Sequence, residues 1–306
     1  MKKVVFVNGG AGRVISSIPA LEELERRGEL EAIVCEGGLE VFLGHPTLQK
    51  RAFDVNQKGM FDVIKNCEVI SPEPYRDHEY FNQRSSIQQS FWYYILNERT
   101  DKNRKPTLML AKSEEIPAVD IIQQARAKGG KEKTIVIQLF GRSSVTGPGV
   151  IVDNSTRSLE QDTFMAIVKD LTKDYNMIYM CEHRVDTQDT SILQLEQNPP
   201  LRIWAAVIEA ADYFIGCDSV GQHFAYAFDK PGSVLLGSTY AVNVSYPEHF
   251  NIIEKKGFEK TYSPIRLLGF GSEEADRLND RAMTFDSKET KEIISNIRAH
   301  IKKTIG

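Results

Sequence analysis

Between residues 216 and 239 the chain reads GCDSVGQHFAYAFDKPGSVLLGST. Asp218, Ser219, Gly221 and His223 follow an apolar run there, as if a strand ended and a helix opened on an acid and a hydroxyl. The first N–H groups of a helix lack intrahelical acceptors and lie at the positive end of its dipole. Such a turn suits an anion, a phosphate above all, with Asp218 or Ser219 as cap and Ser219 and His223 adding side-chain hydrogen bonds. The same residues also describe a plain helix cap with a histidine on a half-buried face. A second glycine-rich turn, NGGAGRV, spans residues 8–14. It resembles a dinucleotide-binding turn only superficially, because the third glycine position falls on Ile15 or Ser16, and EGG after the second strand offers Glu36 and little else.

These turns need elements to hold them. KVVFVN at 3–8 is a β-branched and aromatic run ending in glycines, which reads as a buried parallel strand. A helix follows over SSIPALEELERRG, with Ser17 as N-cap, Pro19 in the first turn and Gly28 closing it. EAIVCEGG and CEVIS read as further strands. From 75 to 105 an aromatic stretch predicts one helix face, followed by an exposed turn at RTDKNRKP. The flexible, basic AKGGKEK marks a linker near 127–133. Beyond it strands and helices alternate: TIVIQLF, LEQDTFMAIVKDLTKDY, MIYMCE, LRIWAAVIEAA, YFIGCD, VGQHFAYAFD and GSVLLG. That alternation predicts parallel sheets of the doubly wound type, with ligands at the carboxyl ends of strands. Ile293, Ile294, Ile297 and Ile301 recur at helical spacing and predict a closing amphipathic helix.

At 306 residues, 41% hydrophobic and 26% charged, the chain is ordinary globular protein with material for two domains. The expected boundaries are 1–130 for the first domain, 131–285 for the second and 286–306 for the closing helix. A net charge of −4 means that any polyanion must be held by a local basic patch. Cys35, Cys67, Cys181 and Cys217 stand singly, without zinc or redox spacing, and read as buried reduced thiols. With no signal-like or membrane-spanning run, the expectation is a soluble, cytoplasmic protein.

The segment DSVGQHFAYAFDKPGSVLLGST resembles the corresponding part of heptosyltransferase-like glycosyltransferases, the family 9 type. Asp218, Ser219, His223, Ala225, Ala227, Lys230, Pro231 and Gly237 match in order, while Val220 replaces a usual glycine. GRVISSIPALEEL is similar to the family's amino-terminal signature at Gly12, Val14, Pro19, Ala20 and Leu21. IQLFGRSS followed by STRSLEQDTFMAIVKDL is a weaker third echo, with Arg157 at its basic position. The resemblance implies an α/β GT-B architecture of two Rossmann-like domains facing a central cleft, with the donor nucleotide-sugar on the carboxy-terminal domain and the acceptor on the amino-terminal one. It implies metal-independent, inverting transfer with no cofactor beyond the nucleotide-sugar co-substrate, and no Asp-x-Asp motif is present. Leaving-group charge then falls to helix N-termini, hydroxyls and cations. The donor set is Gly12, Arg13, Arg142, Arg157, Asp218, Ser219, Gly221 and His223, with Glu182 at the ribose or base.

The departure is at the base. The family's aspartate after the amino-terminal glycine is here Arg13, which cannot take a proton at neutral pH. Asp77, His78 and Glu79 in YRDHEYF are the substitutes; alternatively Arg13 binds a donor or acceptor phosphate, or the protein binds a nucleotide-sugar without turning it over. The expected acceptor is a saccharide. The alternative is a phage-type enzyme acting on hydroxymethylated cytosine in DNA, with Lys50, Arg51, Arg76, Arg84 and RTDKNRKP on the backbone and Tyr75, Tyr80, Phe81 or Trp92 stacking on a base. Residues 1–130 carry 18 basic and 18 acidic residues, so folding would have to segregate such a patch. Oligomeric state is left open.

Overall fold

The computed structural model describes residues 1–141, 144–147, 150–153, 157–180, 184–185, 191–195, 197–257, 260 and 282–306. Among them the chain forms two compact units, one of residues 1–111 and one that starts at Lys112.

In the first unit, β1 (Lys3–Val7), α1 (Ala11–Arg26), β2 (Leu30–Cys35), β3 (Ala52–Asp54), α2 (Met60–Ile64), β4 (Glu68–Ile70), α3 (His78–Phe81) and α4 (Ile87–Leu96) follow in order. The four strands make a parallel sheet ordered β3-β2-β1-β4, with Val5 opposite Ile33 on one side and Ile70 on the other. The chain therefore moves outward from β1 through β2 to β3, then returns to the other side of β1 with β4. α1 begins at Ala11, six residues before the expected Ser17 cap. Gly9, at φ +84°, turns the chain out of β1 so that the helix starts at once, and Ser17 is buried with its hydroxyl donating to the Val14 carbonyl (2.8 Å). Pro19 consequently lies inside the helix. The aromatic stretch is not one helix: it breaks into a short turn at Pro74–Arg76, then α3, then α4. α4 is separately nucleated by a capping box between Ser86 and Gln89 and stopped by Asn97 in a left-handed conformation.

The second unit holds α5 (Lys112–Gly129), β5 (Thr134–Gln138), β6 (Ser144–Gly147), β7 (Val150–Asp153), α6 (Gln161–Leu171), β8 (Asn176–Tyr179), β9 (Leu193–Gln194), α7 (Leu201–Ala210), β10 (Tyr213–Gly216), α8 (Val220–Ala227), β11 (Gly232–Leu236), α9 (Ala241–Val244), β12 (Asn251–Glu254) and α10 (Ser287–Thr304). Residues 112–130, expected in the first domain, belong to the second unit, and α5 packs on α7, where Arg202 meets Glu114 with Nη2 to Oε2 at 2.7 Å. The main sheet is parallel and ordered β12-β11-β10-β5-β8-β9; β6 and β7 form a separate antiparallel pair. Ile135, Ile137, Tyr213, Ile215 and Leu235 share one face with Phe164 and Ile167 of α6 and Ile293, Ile297 and Ile301 of α10. The alternate residues Val136, Phe214 and Val234 point the other way and are equally buried. Both faces are thus covered, which is why these strands are apolar throughout. Cys35 and Cys217 are buried free thiols and Cys67 is half-buried; burial pushes Cys35 up to about 12, so it stays protonated and inert. Cys181 lies outside the described residues. No helix among the described residues is long and apolar enough to cross a membrane.

Candidate functional site

In the second unit the sheet order changes direction between β5 and β10. β8 and β9 extend to one side of β5, while β10, β11 and β12 extend to the other. The carboxyl ends of such a strand pair diverge into a crevice, the usual ligand position of doubly wound sheets. Gln138 ends β5 there. Its backbone carbonyl accepts the Cys217 N–H (3.1 Å), and its side chain spans the gap, with Oε1 accepting the Gly221 N–H (2.9 Å) and Nε2 donating to Ser219 Oγ (3.3 Å). Sequence reading passed over Gln138, although a polar residue closing the apolar TIVIQ was the available signal.

This geometry corrects two expectations. Ser219 stands at the N-cap position in extended conformation, but its side chain bonds no helix N–H. The Gly221 N–H is already committed to Gln138. The other first-turn N–H groups of α8 have no intrahelical acceptor, so the turn keeps its anion-receptive character. Asp218 is buried within the turn, next to this pair. His223 lies one turn further, buried, with Nδ1 2.8 Å from the Tyr246 hydroxyl and the two rings perpendicular at 5.7 Å. Tyr246 is itself stacked on Tyr226 at 3.7 Å. Burial pushes the His223 imidazole down to about 4, so at neutral pH it is an oriented, uncharged ring and not a cation.

Arg157 is brought to the loop after β5 by its neighbours. The Gly141 N–H donates to Ser158 Oγ (2.8 Å), Ser158 donates to Asp153, and the Leu159 N–H donates to the Leu139 carbonyl (2.8 Å). Arg142 and Glu182 lie outside the described residues.

The first unit has its own reversal of strand order, between β1 and β4. Gly12 and Arg13 occupy the first turn of α1 beside it. Arg13 is buried and fully engaged: Nε donates to the Asn8 carbonyl (2.9 Å), Nη2 to Asn8 Oδ1 (2.5 Å) and Nη1 to Glu73 Oε1 (3.0 Å). Its guanidinium also lies 4.8 Å from the Tyr75 ring centroid. Burial opposes the charge, but Tyr75 and Glu73 outweigh it and hold Arg13 above the ordinary arginine range. Glu36 closes the loop by accepting the Gly9 N–H (2.7 Å). Glu36 was noticed in the sequence for another reason; Asn8 and Glu73 were not, since Glu73 is sixty residues from Arg13.

Asp77 has no exposed side-chain surface and is gripped by Arg99 through two bonds of 2.7 Å, while capping α3 at the Glu79 N–H (3.2 Å). Burial raises its proton affinity, yet the bonds from Arg99 and Ser90 prevail and hold it below the usual carboxylate range. His78 is exposed and pairs with Asn82, and Glu79 faces Arg84 at 3.7 Å on the wall of a cavity of about 590 Å³ that Gln89 and Asp101 also line. Asp77, His78 and Glu79 are therefore adjacent in the chain but point to three different environments. The basic segment is likewise committed, with Arg99 over Tyr93 at 3.5 Å and Arg104 over Trp92 at 4.3 Å. Tyr75, Tyr80 and Trp92 are buried; of the expected stacking residues, Phe81 is exposed.

No protein-family model and no curated protein matches the chain. Solved structures do. A family 9 glycosyl transferase from Veillonella parvula aligns over 99% of this chain and 97% of its own, with a TM-score of 0.67 at 13% identity. The ADP-heptose LPS heptosyltransferase II of E. coli aligns over 99% of both chains, with a TM-score of 0.62 at 9% identity. The dodecameric, iron-containing glycosyltransferase TibC of enterotoxigenic E. coli gives 0.60 at 13% identity, over 99% of this chain and 77% of its own. The chain has the α/β fold of GT-B glycosyltransferases, and its full length follows the family 9 and heptosyltransferase structures.

Proposed function

We propose that the protein is a metal-independent, inverting glycosyltransferase that moves a sugar from a nucleotide-sugar to a hydroxyl of a saccharide. The observation that carries this reading is the Gln138, Ser219 and Gly221 knot at the strand-order reversal of the second unit, in a chain with this fold. Gln138 fixes the start of α8, so the remaining first-turn N–H groups stay aimed at one place. Those donors, the Ser219 hydroxyl and Arg157 would meet the diphosphate whose charge grows as the glycosidic bond to phosphate breaks. His223, neutral and braced by Tyr246, offers a hydrogen bond without adding charge. One heptosyltransferase with the same fold is described in complex with ADP-D-beta-D-heptose, which makes ADP-heptose the first donor to try.

A saccharide acceptor is favoured over DNA by the first unit. Arg13, Arg51, Arg99 and Arg104 are engaged with Glu73, Glu25, Asp77 and Trp92 in turn, and the aromatics Tyr75, Tyr80 and Trp92 are inside. Free thiols fit a reducing compartment, and we place the protein in the cytoplasm.

The test is saturation-transfer NMR with UDP-, GDP- and ADP-sugars, then mass spectrometry of the best donor with oligosaccharides and with hydroxymethylcytosine-containing DNA. A selective donor and a mass gain on an oligosaccharide are expected. A gain on DNA would move the acceptor assignment, and binding without transfer would make the protein a nucleotide-sugar binder. Ser219→Ala should weaken donor binding about tenfold, as loss of one hydrogen bond to a charged group implies, in a chain that still folds with Gln138 Oε1 holding the Gly221 N–H but is slightly less stable because Gln138 Nε2 loses its acceptor; unchanged affinity would remove this turn from the site.

A further inference from the structure

Transfer to a hydroxyl requires a group to receive the hydroxyl proton, and among the described residues of the first unit Glu73 is a carboxylate placed for it. Resting on the glycosyltransferase reading above, we propose that Glu73 is the catalytic base, with Arg13 and Asn8 as the positioning residues that aim it. Glu73 follows β4, and Asn8 follows β1, so both stand at the carboxyl ends of the two strands between which the first unit's strand order reverses. That is where a doubly wound sheet presents side chains to a ligand. Glu73 Oε1 accepts from Arg13 Nη1 (3.0 Å) and Oε2 from Asn8 Nδ2 (3.2 Å), so both oxygens are held from the protein side. Each carboxylate oxygen keeps a further lone pair, and 12% of the side chain is open to solvent.

Asp77, Glu79 and Glu36 are placed differently. Asp77 is fully enclosed and neutralised by Arg99 in a bidentate pair. Glu79 stands on the far side of the α3 cap and faces Arg84. Glu36 reaches the same edge, but it is exposed and spent on the Gly9 N–H. Glycine packing makes the edge rigid. A Cβ at Gly38 would stand 2.7 Å from Ala11 Cα, and one at Gly9 would stand 2.8 Å from Arg13 Cδ, so the loops after β1 and β2 close tightly on the start of α1 and the stem of Arg13. The charged and titratable groups around Glu73 include Arg13 from α1, Tyr75 from its own turn and Tyr94 from α4.

In the proposed step the acceptor oxygen attacks the anomeric carbon, its proton passes to Glu73, and the bond from that carbon to the phosphate oxygen breaks. The nucleoside diphosphate leaves with the electron pair. Nothing is oxidised or reduced, and the proton is later lost to solvent.

The experiment uses the full chain with ADP-heptose as probe, or the tightest-binding donor of the panel. Donor affinity is read by NMR and turnover by release of nucleoside diphosphate, with oligosaccharides or water as acceptor. Glu73→Gln should leave donor affinity unchanged and lower kcat about 100-fold or more, the usual range for loss of a general base, while the lost pair with buried Arg13 lowers the melting temperature, so rates are compared where both chains are folded. Glu73→Asp should recover part of the rate. Arg13→Met should lower kcat without changing donor affinity, and Arg13→Lys should restore part of it, a split that a purely structural role would not give. If Glu73→Gln folds, binds donor and turns over at close to the wild-type rate, Glu73 is not the base while the transferase reading stands. If the wild-type chain binds none of the donors, the reading and the base assignment both fall.

Discussion

His223 is uncharged because of where it is, and that has a cost in acid. The unfolded histidine takes a proton near 6.5, whereas the buried one resists until about 4. Between those values the unfolded state binds more protons, so stability falls as pH drops through this window and is unaffected above it. The loss should be about 2 kcal/mol at pH 5, approaching about 3 kcal/mol below pH 4. Urea midpoints of the wild type and His223→Gln at pH 7 and pH 5 check this; the variant should show the smaller drop. Asp77 works in the opposite direction in charge but the same in pH. Its lowered proton affinity stabilises the fold above the ordinary aspartate range, and that contribution disappears as acid protonates it. Asp77→Asn should therefore lower stability by roughly 1–2 kcal/mol through the weakened cap and the lost pair with the half-exposed Arg99. Turnover should persist in that variant, since the side chain is enclosed; a loss of kcat without a loss of stability would return Asp77 to the list of bases.

At the scale of elements, the β10 to α8 turn depends on Gly221 for a reason the sequence pattern did not disclose. A Cβ there would lie 2.2 Å from Gln138 Oε1 and 2.7 Å from Phe214 Cζ. Gly221→Ala must displace either the Gln138 bridge or the helix start, and should cost on the order of 1–3 kcal/mol in chemical denaturation and weaken donor binding with it. Strands were legible because the parallel sheets are covered on both faces, which makes KVVFV, TIVIQ, YFIG and GSVLL continuously apolar. Helix starts were less so. Ser17 satisfies every rule for a cap, yet Gly9 reverses the chain earlier and makes Ser17 an interior residue. The donor turn at 218–223 announced itself because its residues are adjacent. Asn8, Arg13 and Glu73 did not, because only strand order brings β4 beside β1, and no local spacing encodes that. Gln138 and Ser219, 81 residues apart, were hidden in the same way.

At the scale of the whole chain, each unit has its own sheet, and the second is completed by its last helix. Ile293, Ile297 and Ile301 of α10 join the core formed by β5, β10 and α6, and Arg298 ties the helix to Asp170 and Asp174. Ile297→Ala should cost about 2–4 kcal/mol and speed hydrogen exchange at the β10, β11 and β12 amides; unchanged exchange there would mean that α10 is dispensable to the sheet. The docking of the same helix has a built-in optical reporter on the strand beneath it. Tyr213 of β10 shares its hydroxyl with Ser233 of β11 (2.7 Å) and His300 of α10 (2.6 Å), and burial holds its proton well above the ordinary phenol range. In alkali this ring should stay dark in the tyrosinate absorbance band until α10 lifts away. The delayed rise of that band after a pH jump would then clock the undocking of the last helix without any added label.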